Sequence, residues 1–322
     1  MTFYSDKTIL ITGGAGGIGV ESARVFLEAG ARVRLVDRSA DALERAAQAL
    51  GAPEELQVQT NGLADQEDCL RALRDGPRPY ALIHLAGISL PDPEDTADLT
   101  LFDETMSANV RNGYQLGRLF HAHCAGTAEL PTRAVFACSL AFRRGGLDRI
   151  AYSAAKGAIA GMVRAMTRRF APAVHVNAVA PGIILTPMSR QLIADRADKL
   201  MSEIPIRRFA EPREVATVIE FLCSPASSYV NGRSSTSTAE RFIHERTPGG
   251  STGPGHPGRR MLRRGDRRGL PGSGSACDRR HAATCRRRSL PTPGARSRAR
   301  RRADRESCGS LQGRASHRRQ RR

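Results

Sequence analysis

Thr8-Ile9-Leu10-Ile11-Thr12-Gly13-Gly14-Ala15-Gly16-Gly17-Ile18-Gly19, running on through Val20–Glu28, decides the fold. The first five residues are apolar or β-branched and predict a strand. The glycine-rich segment that follows predicts a tight turn, and Val20–Glu28 has helical spacing. A strand, a glycine turn and a helix N-terminus in that order form a cradle for a pyrophosphate. Glycines let the backbone approach the phosphates, and free N–H groups with the helix dipole favour negative charge. A lone glycine-rich loop carries little weight, and a plain tight turn is the alternative. The strand before it and the helix after it supply the confirming context.

Working outward, the same alternation continues to about residue 231. Apolar runs stand at Thr8–Thr12, Ala31–Val36, Leu56–Val58, Tyr80–Leu85, Ala134–Cys138 and Val174–Ala180. Helical spacing fills the stretches near 18–29, 40–50, 66–74, 101–123, 152–170 and 212–223. Strand–helix repetition with right-handed crossovers predicts an α/β fold, a Rossmann-type doubly wound parallel sheet in a single domain. The second run ends at Leu35-Val36-Asp37, and Asp37 lies 18 residues past Gly19. A carboxylate there is placed to hydrogen-bond the adenosine ribose and repels a 2′-phosphate, so NAD is expected over NADP. Arg38 follows directly and is the residue that would accept a phosphate instead.

Composition separates two regions. The formal net charge of the 322 residues is +18. Residues 1–231 hold 25 basic and 26 acidic side chains, whereas residues 232–322 hold 25 Arg, no Lys and 6 acids. The imbalance therefore says nothing about the first region. From Arg233 onward there is no Val, Tyr or Trp, and Gly, Pro, Ser and Arg dominate. Such a composition cannot bury enough apolar surface to offset ordering entropy, so 233–322 is expected to be a disordered basic tail. Its 25 Arg support non-specific adhesion to nucleic acid and no more, since it lacks aromatic interleaving and a groove-reading helix. No apolar run is long enough to span a membrane and no secretory signal opens the chain. Seven Cys stand singly, without a C-x-x-C pair, so neither zinc nor a disulfide framework is expected. Reduced thiols and a cytoplasmic setting follow.

Four motifs in order carry a family resemblance. Thr12-Gly13-x-x-x-Gly17-x-Gly19 is followed by Asn109, then Ser139, then Tyr152-Ser153-Ala154-Ala155-Lys156. Asn177-Ala178-Val179-Ala180-Pro181-Gly182 with Thr186 closes the series. Over residues 6–232 the chain resembles the short-chain dehydrogenase/reductase family. Tyr152 and Lys156 are four apart and share one helix face. A nearby ammonium favours a phenolate, so Tyr152 can act as base in alcohol oxidation or as acid in ketone reduction. Ser139, at a strand end 13 residues before Tyr152, is placed to hydrogen-bond the reacting oxygen. The resemblance implies that Lys156 also holds the nicotinamide ribose and that Asn109 supports a water relay to it. It implies a cofactor lined by Thr12, Gly13, Gly17, Ile18, Gly19, Asp37, Arg38, Leu63, Ala86, Gly87, Tyr152, Lys156, Pro181, Gly182, Ile184 and Thr186. It further implies a small alcohol or ketone substrate and a homodimer or homotetramer built through the long helices, if the sheet is intact.

Read singly, several of these residues have plainer roles. A lone Tyr-x-x-x-Lys is an ordinary helix surface pair, and a lone Ser139 a strand-end hydroxyl. Cys138 is read as a small strand residue, and His84 as a satisfied buried group rather than a catalytic one. Substrate is expected against Leu140, Phe142, Arg143 and Arg144 and a flap from Ile183 to Pro205. The apolar flap suits a ring or alkyl alcohol. Arg143 or Arg144 is a candidate for an acidic group, with exposed surface arginines as the plainer reading. An NADP-dependent 3-oxoacyl thioester reductase is the alternative within the family, and an inactive cofactor-binding protein the alternative outside catalysis.

Three departures from the family stand out. His84-Leu85-Ala86-Gly87 replaces Asn-Asn-Ala-Gly, and Gly62-Leu63 replaces Asp-Val, leaving only a backbone contact to adenine. After Asn231-Gly232 the family continues into a last strand and Val-Asp-Gly-Gly, whereas this chain reads Arg233-Ser234-Ser235-Thr236. Back-translating Gly232–Arg241 with G- or C-ending codons and reading from the third base returns Pro-Val-Leu-His-Val-Asp-Gly-Gly-Ala. A frameshift just after Gly232 is therefore expected, with domain 1–232 followed by a tail in the wrong frame and the last strand lost.

Overall fold

The computed structural model describes residues 2–95 and 97–235. The disordered tail expected of the sequence lies, beyond Ser235, outside the described residues. Seven parallel strands form one sheet in the order β3-β2-β1-β4-β5-β6-β7. They are β1 (Thr8–Thr12), β2 (Arg32–Asp37), β3 (Leu56–Thr60), β4 (Pro79–His84), β5 (Thr132–Ala137), β6 (Val174–Val179) and β7 (Ser234–Ser235). The first six fall on the six apolar runs, with ends shifted by one or two residues. The helices are α1 (Gly17–Glu28), α2 (Ala40–Ala49), α3 (Gln66–Arg74), α4 (Thr100–Met106), α5 (Asn112–Cys124), α6 (Ala141–Arg144), α7 (Ile150–Phe170), α8 (Arg190–Glu203) and α9 (Pro212–Cys223).

Strand alternation makes two cores. Ile9, Ile11, Val33 and Leu35 pack with Phe26, Val215 and Ile219 under α1 and α9. Leu10, Val36 and Leu82 face the other way, against Leu116, Phe120, Ile159 and Val163 of α5 and α7. A strand buried on both faces reads as a continuous apolar run, which is why β1 and β4 are buried at every position. Side chains fix several helix starts. Ser39 accepts from the Ala42 N–H at 3.2 Å, and Asp65 from the Asp68 N–H at 2.9 Å. β1 has β2 on one side and β4 on the other, so the chain reverses its winding there. The crevice beyond the C-terminal ends of β1 and β4 is the place where such sheets hold ligands.

Two elements differ from expectation. The flap contains a 14-residue helix, α8, which buries none of its residues and bends at Arg196 (φ −144, ψ 23). With no buried stripe there is no strong apolar period to read. The last strand is not wholly lost, because Ser234 and Ser235 pair with Ala178 and Val179 of β6.

Candidate active site

The glycine turn is held by close backbone approach. Gly13 adopts φ +67, and a Cβ there would sit 2.6 Å from the Ala86 nitrogen. A Cβ on Gly19 would sit 2.6 Å from the Gly13 carbonyl oxygen. A side chain at either position would therefore displace backbone. Leu85 N–H donates to the Thr12 carbonyl at 2.9 Å, tying β1 to the segment Ala86-Gly87. Gly17 faces the sixth-strand loop, and a Cβ on it would lie 2.9 Å from Thr186 Cγ2. The structure thus brings Thr12, Gly13, Gly17, Ile18, Gly19, Ala86, Gly87 and Thr186 to one crevice. Pro181 and Ile184 are buried in the loop that leads to Thr186. Gly182 lies between them.

Asp37 ends β2 and reaches the same turn. Its Oδ2 accepts from the Ala15 N–H and its Oδ1 from the Ser39 N–H, both at 3.3 Å. Both bonds fix the carboxylate beside the turn, while Arg38 is exposed. Leu63 adopts φ +55 and is buried in the second core. Its N–H is already given to Asn61 Oδ1 at 2.9 Å, so the backbone contact expected at this position falls to its carbonyl. A phosphate-bearing dinucleotide fits this donor set. The turn has room for backbone approach only, and a fixed carboxylate stands one strand away.

The second half of the site comes from β5, α7 and the helix that follows β4. Ser139 lies two residues past β5, and its Oγ accepts from the Ala141 N–H at 3.2 Å. On α7, Lys156 is buried, donates from Nζ to the Ala137 carbonyl at 2.9 Å, and sits 5.3 Å from the Tyr152 ring centroid. Asn109 lies in a π-helical turn, Ser107–Arg111, between α4 and α5. Its Nδ2 donates to the carbonyls of Ile88 and Thr105, both at 3.0 Å, and its buried Oδ1 has no partner among the described residues. Gly87 is the gap where these groups meet, because a Cβ on it would collide with Asn109 Oδ1 and come within 3.6 Å of Lys156 Nζ. A π-turn often marks a functional position in a helix, and here it carries a side-chain oxygen aimed at Gly87.

Electrostatics sort these groups. Burial pushes the Tyr152 phenol up, while the Ser139 hydroxyl beside it and the Arg149 charge pull the other way. Burial lowers the Lys156 ammonium to about 8. His84 is also buried, and burial together with the Lys156 charge lowers it to about 3, so its imidazole is neutral. Its Nδ1 pairs with Thr12 Oγ1 at 2.8 Å, yet its Nε2 is buried without a partner among the described residues. Its expected satisfaction therefore holds for one ring nitrogen only. Cys138 is buried and donates to the Lys156 carbonyl at 3.1 Å, in keeping with a structural strand-end residue.

Residues 13–237 match the family described as enoyl-(acyl carrier protein) reductase. An acetoacetyl-CoA reductase of Synechocystis is 33% identical over 236 residues, 70% of this chain and 92% of the relative. A galactitol 2-dehydrogenase of Cereibacter sphaeroides is 34% identical over 234 residues, 69% of this chain and 89% of the relative. A solved short-chain dehydrogenase/reductase of Brucella melitensis, described as a glucose/ribitol dehydrogenase, superposes with a TM-score of 0.66 at 33% identity. That superposition covers 73% of this chain and 97% of the Brucella chain.

The chain belongs to the short-chain dehydrogenase/reductase family. It is an oxidoreductase of the type that acts on CH–OH groups with NAD(P).

In this oxidoreductase two ion pairs join the flap to the segment between β5 and α7. Arg144 of α6 pairs with Glu203 at 2.7 Å, and Arg196, at the bend of α8, pairs with Asp148 at 3.3 Å. Arg144 is thus paired with the flap on an exposed face. Arg143 lies with its guanidinium 5.3 Å from the Phe142 ring centroid. Asp92 was not among the residues expected in the site. Its carboxylate accepts from the Ile150 N–H and, at 3.2 Å, from the Ala151 N–H, and so caps α7 just ahead of Tyr152. A partner 58 residues away carries no local signal. Separately, a groove of about 1250 Å3 between α4, α5 and α7 is lined by Met106, Val110, Tyr114, Met162 and Met166. No candidate site residue lines it. No helix among the described residues is long and apolar enough to cross a membrane.

Proposed function

We propose that this chain is an NAD-dependent dehydrogenase that interconverts a secondary alcohol and a ketone, with Tyr152 as general acid and base. The observation that carries the reading is the meeting of Lys156 Nζ and the unpartnered Asn109 Oδ1 at Gly87, on the helix face that also bears Tyr152. The bound nicotinamide supplies the hydride acceptor or donor. The turn Gly13–Gly19 holds the pyrophosphate through backbone N–H groups, and the Asp37 carboxylate accepts from the adenosine ribose. Arg38, Leu63, Ala86, Gly87, Pro181, Gly182, Ile184 and Thr186 border the rest of the cofactor.

Ser139 Oγ donates to the substrate oxygen, which develops negative charge in ketone reduction. Tyr152 then gives its phenolic proton to that oxygen. Burial favours the protonated phenol, so the resting residue is ready to act as an acid at neutral pH. In the oxidative direction the phenol must first lose that proton, and the Lys156 ammonium beside the ring favours the loss. Asn109 Oδ1 is placed to accept from a water that returns the proton to solvent through Lys156. Self-association as a homodimer or homotetramer uses the groove beside α5 and α7, and the setting is the cytoplasm.

A second reading keeps the same chemistry with NADP and a 3-oxoacyl thioester. It is favoured by the exposed Arg38 and by the acetoacetyl-CoA reductase among the relatives. Titration with NADH and NADPH, followed by cofactor fluorescence, separates the two. Preference for NADH that Asp37→Ala abolishes supports the first, and preference for NADPH that Arg38→Ala abolishes supports the second. Tyr152→Phe must bind cofactor and lose turnover, and full turnover in that variant refutes both.

A further inference from the structure

The arginines near Tyr152 are not equivalent. Arg144 is neutralised by Glu203 and Arg196 by Asp148. Arg149 forms no ion pair among the described residues, yet it is half-buried rather than splayed into solvent. It is the N-cap residue of α7, three before Tyr152, and carries no side-chain cap bond of its own. N-cap and third-position side chains are neighbours on a helix, which is how capping boxes close. Gly146 packs beneath it, since a Cβ there would lie 3.1 Å from Arg149 Cβ.

The two carboxylates that approach this turn are already engaged. Asp92 serves the Ile150 and Ala151 N–H groups, and Asp148 serves Arg196. Arg149 therefore carries a charge that no carboxylate among the described residues offsets, beside a turn whose two carboxylates are taken. That charge is felt at the Tyr152 phenol, and its guanidinium is open to a charged ligand. The surrounding flap adds apolar surface, with Leu185 and Met188 exposed.

We propose that Arg149 sets the specificity of this site, and that the substrate is a hydroxy or oxo acid with an apolar body whose carboxylate pairs with that guanidinium. The proposal rests on the oxidoreductase reading of the site. Arg149 itself takes no part in proton or hydride transfer. A charge-assisted hydrogen bond of this kind corresponds to about tenfold to hundredfold in affinity.

The test uses matched probes with the full chain and NAD. 3-Hydroxybutyrate and 4-hydroxycyclohexanecarboxylate are compared with their methyl esters, which keep the shape and lose the charge. The acids are expected to exceed the esters in kcat/KM by about tenfold or more. Arg149→Gln should bring that ratio toward one, and Arg149→Lys should restore much of it. Wild-type preference for the esters, or an Arg149→Gln variant that lowers acids and esters in proportion, overturns the proposal. A binding arm separates it from the oxidoreductase reading. Cyclohexanecarboxylate, which has no hydroxyl to oxidise, should change the fluorescence of the enzyme–NADH complex in wild type and not in Arg149→Gln. If neither series is turned over but this response is seen, the alcohol–ketone chemistry proposed for this site does not extend to these acids and the carboxylate site stands. No response to cyclohexanecarboxylate in wild type overturns the carboxylate site.

Discussion

Asp92→Ala tests whether the start of α7, the helix that carries Tyr152 and Lys156, is held from outside. α7 begins without a cap of its own, since Arg149 makes no side-chain cap bond and the first turn has no acid. Its first internal bond runs from the Ser153 N–H to the Arg149 carbonyl at 3.0 Å, so the N–H groups of Ile150 and Ala151 depend on Asp92. Ile150 is 77% exposed, so packing does little to hold this turn. Loss of an N-terminal cap costs about 0.5–2 kcal/mol. Loss of a carboxylate at the positive end of a helix adds about 0.3–1 kcal/mol. The sum, about 1–3 kcal/mol, is large beside the total stability of about 5–15 kcal/mol expected of a folded protein. The assay is urea unfolding of wild type, Asp92→Ala and Asp92→Asn, with kcat measured on the same preparations. Asp92→Asn keeps an acceptor and loses the charge, so it should fall between the other two. Because Tyr152 lies in this first turn, fraying should lower kcat more than it weakens NADH binding. An Asp92→Ala variant within about 0.3 kcal/mol of wild type, with unchanged kcat, would show that the cap does not hold the helix.

Three further outcomes are expected. Gly19→Ala forces a Cβ to within 2.6 Å of the Gly13 carbonyl and 2.7 Å of the Gly14 carbonyl, so NADH binding measured by fluorescence should be lost while the far-ultraviolet circular dichroism stays largely native. Lys156 is held at about 8 in the folded chain against 10.5 ordinarily, so the unfolded chain binds more protons between those values and burial of the charge opposes folding below about pH 8. The stability of Lys156→Met relative to wild type should therefore be greatest below pH 8 and fall by about 3 kcal/mol as pH rises to 10.5, and a pH-independent difference would exclude a buried ammonium. The β6 edge is closed by Asn231, Gly232, Arg233 and Ser235, with bonds of 2.8–2.9 Å to Val176, Ala178 and Ala180. A chain stopped after Ser235 should thus bind NADH like the full chain, whereas one stopped after Val230 loses all of these bonds and should unfold at lower urea concentration.

The legible parts of the sequence were those whose partners lie nearby. Strand β1, its glycine turn and α1 read directly, because the residues that need glycine are packed against the turn itself or the strand end beside it, at Gly19 and Gly13. Tyr152 and Lys156 read from helix period, and Ser139 and Asn109 entered through the order of motifs. What stayed hidden was settled by distant contact or by backbone detail. Asp92 caps α7 from 58 residues away. The π-turn at Asn109 leaves no compositional trace, since Ser107–Arg111 is unexceptional helix sequence. Helix α8 buries none of its residues, and the flap therefore carried no apolar stripe to distinguish it from a loop. Leu63 is expected to meet the cofactor through its backbone alone, and the burial of its side chain in the core and the bond from its N–H to Asn61 are details with no local signal.

The π-turn also changes how the long helix can be altered. A π-turn takes in one residue more than an α-turn, and each residue of an α-helix advances the face by about 100°. Removing one residue from Ser107–Arg111 would let α4 and α5 fuse into a regular helix. Every side chain on one half would then rotate relative to the other by roughly that angle. Asn109 and the groove-lining Met106 and Tyr114 could not all keep their present neighbours. The extra residue thus uncouples two surfaces of a single helix, so that the inner one can face Gly87 and Lys156 while the outer one lines the groove.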